Sequence, residues 1–254
     1  MTPPADEPDA PAGTADRGVE DGSPPPDGVG PLSGKTRRAP WILDRLAVEH
    51  PDAHIALDFT TPFELLVATM LSAQSTDVMV NQVTPDLFAR FPDATAMAEA
   101  TREELEELIG RLGLFRQKAK NLQATARQLL VEHDGEVPTT MEALTALPGV
   151  ARKTANVVIS NTAGEDAAHV GVVVDTHVRR LARRLRFTRQ DTPPRIETDL
   201  MRLFPADRWL DVSDLLIFHG RRVCTARNRD CGACVVAPLC PSDATEGRTD
   251  KAQP

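Results

Sequence analysis

No apolar run in this 254-residue chain is long enough to span a bilayer, which excludes a transmembrane helix, and the amino terminus lacks the basic-then-apolar pattern of a secretory signal. A cytoplasmic protein is the expectation. Tyrosine is absent and aromatic residues are scarce, while the length allows one large domain or two small ones. Cysteine occurs four times, all within one 17-residue span, so most of the chain has no disulfide framework. An excess of positive charge is missing too: the formal charge of -8 argues at first sight against a nucleic-acid partner, because phosphate binding needs positive surface.

The distribution of that charge reverses the argument. Residues 1–30 hold seven acids against one arginine, and nine of the 21 prolines fall within residues 1–40. By composition residues 1–38 are a disordered, acidic, proline-rich tail, and 241–254 form a second tail. Residues 111–130 carry five basic and no acidic side chains, and 171–240 carry thirteen arginines against eight acids. Positive charge on this scale permits DNA binding; arginine clusters are also common on ordinary surface. The EELEE run at Glu103 to Glu107 reads as the solvated face of a helix.

Between the tails the pattern is helical almost throughout. Apolar spacing of about 3.6 recurs from WILDRLAVEH, beginning at Trp41, through FELLVATMLSAQ, VTPDLFARF, REELEELIGRLG, QKAKNLQATARQLLVEH and MEALTAL. Short loops with proline, glycine or aspartate separate these segments, as in a compact helical bundle. The valine-rich stretch Val170 to Val174 has no partner strand elsewhere and reads as an apolar connector. The fold class expected is therefore all-α.

The most informative string is LPGVARKTANVV, Leu147 to Val158. Pro148 and Gly149 break one helical run and another starts within three residues, leaving turn amides without helical partners. Such amides suit a phosphate oxygen. Lys153 stands in the first turn of the new helix beside Arg152, at the positive end of the helix dipole, and a neutral amine there is a nucleophile. On its own, a lysine near a helix start is most often a solvated charge. A second string, VVVDTHVRRLARRL, raises the reading: Asp175 reads as the N-cap of a helix carrying four arginines. Its plain role is capping; beside a nucleophilic amine, a carboxylate is also an electrostatic partner.

The four cysteines, Cys224, Cys231, Cys234 and Cys240, are spaced C-x6-C-x2-C-x5-C and read as a metal site. By ligand count, four thiolates suit zinc and an iron–sulfur cluster equally.

Taken together the segments resemble the endonuclease III family of DNA glycosylases, from about Trp41 to Cys240. The likeness includes MLSAQSTDVMVN at Met70 to Asn81 and GLFRQKAKNL at Gly113 to Leu122. It implies a two-lobed helix-hairpin-helix glycosylase fold with a DNA cleft between the lobes. A helical barrel domain would span 55–166 and contain the hairpin at 147–153; residues 39–54 and 167–240 would form an iron–sulfur cluster domain. Lys153 and Asp175 would be catalytic, with Lys153 attacking C1′ of the sugar and forming an imine that permits β-elimination. The hairpin residues Gly149, Val150 and Ala151 would hold a phosphate, Gln74 would fill the gap left by the extruded base, and Leu114 would wedge the opposite strand. The cysteines would carry a [4Fe–4S] cluster, holding Arg227 and Arg229 toward the backbone. The partner implied is double-stranded DNA with oxidised or ring-saturated pyrimidines or abasic sites, bound by a monomeric, nucleoid-associated enzyme of base excision repair.

The alternatives are a thymine-mismatch or other monofunctional glycosylase of the same superfamily and a non-catalytic helix-hairpin-helix DNA-binding protein with structural zinc. An adenine glycosylase is disfavoured, because that group places a glutamate where this chain has Ala68. One departure concerns the hairpin, which in the family usually ends LPGVG; here the second glycine is Ala151. If that position requires positive φ, alanine is strained by about 1 kcal/mol or more. His177, in the first turn after Asp175, reads either as a neighbour of the flipped nucleotide or as a plain helical residue.

Overall fold

The computed structural model describes residues 34–162 and 170–243, so the expected tails lie outside the described residues except at their inner edges. Among the described residues the chain is built from helices, joined by short loops, with a single isolated bridge between Cys224 and Arg229 and no strand. In chain order the helices are α1 (Lys35–Glu49), α2 (Pro62–Ser72), α3 (Asp77–Arg90), α4 (Ala94–Glu99), α5 (Arg102–Ile109), α6 (Phe115–Glu132), α7 (Met141–Ala146), α8 (Arg152–Thr162), α9 (Thr176–Arg184), α10 (Pro193–Leu203) and α11 (Trp209–Arg222). None is long and apolar enough to cross a membrane.

Local chemistry explains most of the starts. The side chains of Thr61, Thr76, Asp93, Thr101, Thr140 and Asp175 each accept a backbone N–H from the first turn of the helix that follows. At α5 the cap is reciprocal, with Glu104 reaching back to the Thr101 N–H. Two inner edges of the expected tails are structured and correct the sequence reading. Helix α1 begins at Lys35 and runs through Pro40, ahead of the periodic start at Trp41. Its extra turn is anchored by distant carbonyls: Lys35 Nζ donates to Phe187, and Arg38 donates to Leu239 and Leu185. At the other end, Ser242 is bound at both its hydroxyl, which donates to the Arg184 carbonyl, and its carbonyl, which accepts from Arg229.

The apolar side chains gather into two cores. One contains α2 to α8, with α2 almost wholly buried and packed against α3, α6 and α8. The other combines α1 with Val172, α9, α10, α11 and the segment reaching Val236. The chain therefore leaves the second core after α1, builds the first, and returns through the connector at Gly171 to Val174.

That connector is fixed by a close approach. Gly171 takes φ 132°, and a Cβ there would lie 2.4 Å from Oε1 of Glu197. Glu197 is buried on α10 and accepts hydrogen bonds from Arg152 (3.2 Å) and Asn156 (3.3 Å) of α8, tying the two cores together. Gly171→Ala is expected to lower stability by about 2–3 kcal/mol, combining an unfavourable φ with displacement of a buried carboxylate. Chemical denaturation checks this; a variant within about 0.5 kcal/mol of the parent would disprove the packing argument.

Candidate active site and cysteine loop

The turn between α7 and α8 passes through Pro148 and Gly149, and only Gly149 in it has positive φ, at 80°. A Cβ on Gly149 would come within 2.4 Å of Nδ2 of Asn121, so α6 lies directly beneath the turn. Thr125 of α6 also donates to the Pro148 carbonyl at 2.8 Å. Ala151 lies outside the positive-φ region, and its carbonyl accepts the Ala155 N–H as α8 begins. The strain conditional on a left-handed Ala151 therefore does not arise. Alanine is compatible with this backbone, and the need for glycine falls on Gly149 alone.

Lys153 is exposed in the first turn of α8 and has no hydrogen-bond or ion-pair partner among the described residues. Asp175 caps α9 through a single oxygen: Oδ1 accepts from the N–H groups of His177 (2.7 Å) and Val178 (2.8 Å), which leaves Oδ2 unengaged. The connector is held upstream by a bond from the Val173 N–H to Ser213 Oγ of α11, 2.9 Å. Lys153 and Asp175, which belong to different cores and lie 22 positions apart in sequence, line one cavity of about 390 Å³. That is within the size range of small-ligand sites, about 300–1,000 Å³. Ala151, Gln74, Thr69 and Asp214 line it too.

Gln74 and Leu114 sit on two neighbouring loops. Both are exposed, both have positive φ (56° and 58°), and an added Cβ on Gly113 would lie 3.3 Å from the Gln74 carbonyl. A non-glycine residue in the left-handed region costs on the order of 1 kcal/mol or more, so two such residues side by side mark a surface held in a specific shape. Lys118 holds it: the side chain is buried, burial lowers its pKa, and Nζ donates to Ser75 Oγ at 2.8 Å, between the two loops.

The four cysteines are free thiols, with no disulfide between them. All four line a second, smaller cavity with Leu181, Val223 and Val236. Among the described residues no group of three or more His, Cys, Asp or Glu side chains is arranged to hold a metal ion; the sulfurs instead ring this cavity. Arg184 pins the loop by donating to Cys224 Sγ (3.2 Å) and to the carbonyls of Cys224, Thr225 and Ala226. His219 places Nε2 3.4 Å from Cys234 Sγ and Nδ1 3.1 Å from His50. Burial, reinforced by His50, pushes the His219 pKa down to about 4, so its ring is neutral at physiological pH. Arg227 is exposed, whereas Arg229 turns inward onto the Ser242 carbonyl. His177 faces Arg180 (3.1 Å) and packs against Gly220, which places it against α11.

Residues 67–206 match the model of the HhH-GPD superfamily base excision DNA repair proteins. Endonuclease III of Synechocystis sp. is 54% identical over 211 residues, covering 83% of this chain and 95% of that protein. This chain belongs to the endonuclease III family. Endonuclease III of Escherichia coli K12 is 42% identical over 199 residues, covering 78% of this chain and 92% of its own. A trapped endonuclease III–DNA covalent intermediate superposes with a TM-score of 0.77 at 39% identity, over 84% of this chain and 99% of that one. A thermostable thymine-DNA glycosylase shares the fold, with a TM-score of 0.67 at 21% identity.

As an endonuclease III family member the chain carries one cavity residue that motif reading overlooked. Asp214, on α11, opens onto the cavity without any hydrogen-bond or ion-pair partner among the described residues, and burial followed by the adjacent Asp211 raises its pKa to about 6. The signal was a second acid inside an otherwise apolar helix, DVSDLLIF. A carboxyl group whose folded-state pKa exceeds the unfolded value favours the fold when protonated. That contribution is complete below about pH 4 and disappears as pH rises through about 6. Asp214→Asn is therefore expected to stabilise the protein at pH 8 by up to about 3 kcal/mol, less whatever water in the cleft recovers, and by little at pH 4. Melting temperatures across that range check it; a gain independent of pH would contradict the assignment.

Proposed function

We propose that this protein is a bifunctional DNA glycosylase and abasic-site lyase that removes oxidised or ring-saturated pyrimidines from double-stranded DNA. The observation that carries the reading is the convergence of Lys153 and Asp175 on one cavity, beside the loops of Gln74 and Leu114. A base inside a duplex must leave the stack before its glycosidic bond is reachable, at a cost of a few kcal/mol that is least for damaged bases. Gln74 and Leu114, already held in a strained, exposed shape, fill the gap and wedge the opposite strand. The amides of Gly149 and Ala151 take a backbone phosphate, on either side of a Val150 N–H that closes the turn on the Leu147 carbonyl, and exposed Arg227 adds a second backbone contact. Arg229 supports the cysteine loop from within.

The Lys153 amine attacks C1′, the C1′–N bond breaks, and the base leaves with the bonding electrons and takes up the proton that the attacking nitrogen releases. Asp175 stabilises the positive charge that develops on the sugar with the oxygen not committed to capping α9. Ring opening gives an imine between Lys153 and C1′. The imine acidifies the C2′ proton, its loss expels the 3′ phosphate, and hydrolysis regenerates the lysine.

The four cysteines fit a [4Fe–4S] cluster by donor chemistry: four free thiols surround one cavity, braced by Arg184 and neutral His219. Such a cluster supplies a fixed cross-link that shapes the loop carrying Arg227. The test of the proposed activity is a duplex with one oxidised pyrimidine, scored separately for base release and strand cleavage. Base release without cleavage would assign a monofunctional enzyme, and neither activity a binding protein.

A further inference from the structure

The polar groups around the active-site cavity divide into those already satisfied and those still open. On the α11 wall, Ser213 is spent on the Val173 N–H and the Trp209 carbonyl, and Arg221 is paired with Asp77 of α3 at 2.7 Å. His54 has its Nδ1 bonded to the Asp52 carbonyl at 2.7 Å. Apart from Lys153, the free oxygen of Asp175, and the Gln74 and Thr154 side chains, two polar groups of the lining have no partner among the described residues. One is the carboxylate of Asp214; the other is the hydroxyl of Thr69 on α2, a residue 7% exposed whose Oγ1 is fully buried with no hydrogen bond. Buried polar atoms are normally paired, and each exception calls for an explanation.

A uracil- or thymine-derived base presents an edge of carbonyl, N3–H and carbonyl. A carboxylate can accept the central N–H, and a hydroxyl can donate to a flanking carbonyl, which matches what α11 and α2 offer. We propose that Asp214 is a base-recognition residue whose carboxylate accepts the N3–H of the extruded base, with Thr69 donating to an adjacent carbonyl. This rests on the glycosylase reading and names the lesions it favours: pyrimidines that retain a proton at N3. Asp211, Arg221 and His54 are the charged or titratable groups influencing Asp214, and their balance leaves it ionised above about pH 6, as accepting requires. A cytosine-derived lesion turns an N3 lone pair toward the same carboxylate and is disfavoured. An abasic site has no base edge, so Asp214 plays no part in its cleavage.

The experiment compares wild type, Asp214→Ala and Asp214→Asn in single turnover on three duplexes carrying 5,6-dihydrouracil, 5-hydroxycytosine or an abasic site. Asp214→Ala is expected to slow dihydrouracil release by about 100-fold while abasic cleavage stays within about threefold. Asp214→Asn, whose amide can also donate to a bare N3, is expected to narrow the dihydrouracil preference over 5-hydroxycytosine by about tenfold. Equal losses on dihydrouracil and abasic DNA, or an unchanged lesion ratio in Asp214→Asn, would overturn the proposal. Should Asp214→Ala not fold, the Asp214→Asn ratio decides alone. Failure of the wild type to cleave the abasic duplex would count against the parent reading instead.

Discussion

Lys153→Ala will abolish borohydride trapping of the protein on DNA carrying an oxidised pyrimidine, and with it base release and strand cleavage, by a factor of at least about 10³. The size follows from the role. In the proposed mechanism every step after base extrusion depends on the Lys153 nitrogen, and no other lysine among the described residues lines the cavity. Binding should survive, because the proposed phosphate contacts come from backbone amides and arginine, so Kd for uncleaved DNA should change only severalfold. The fold should survive as well: the side chain is exposed, makes no hydrogen bond, and alanine is the best helix former for the first turn of α8. Equal trapping by the variant would remove Lys153 from the mechanism. Asp175→Asn makes an informative companion, since an amide oxygen can still cap α9 while the charge is lost.

Replacing Cys234 by alanine is expected to have the largest structural effect. Cys234 contacts buried His219, and burial pushes its free thiol up to about 11, so the thiolate needed as a ligand has an energetic cost that a cationic centre would offset. A structural metal group contributes on the order of 10 kcal/mol to the segment it organises. The purified wild type should be brown and contain iron; Cys234→Ala should lose colour and iron, and residues 224–243 should become protease-sensitive. Residues 55–162 have their own core and should keep their helices. DNA binding should fall through displacement of Arg227, while any residual cleavage still depends on Lys153. A colourless, zinc-containing wild type with full activity would defeat the cluster proposal while leaving the lysine chemistry intact.

These two sites differ in how far they could be read from the residues. The cap at Asp175, the break at Pro148 and Gly149, and the cysteine spacing were legible because the interactions involved span only a few positions. The start of α1 was not: Lys35 and Arg38 are helical because of carbonyls about 150 to 200 positions away. Arg227 and Arg229 are two residues apart, alike in type and loop, yet one is exposed and the other serves Ser242. No local pattern separates them.

The sequence by itself determined the helical class, the hairpin with Lys153, the capping carboxylate of Asp175 and the four-thiol loop, since backbone geometry and short-range hydrogen bonding act within a turn or two of chain. Only the tertiary structure decided that Ala151 needs no glycine, that Glu197 binds the two cores beside Gly171, and that Asp214 opens unpaired onto the same cavity as Lys153. Those outcomes depend on desolvation and close approach between segments remote in sequence, and both exist only once the helices have packed.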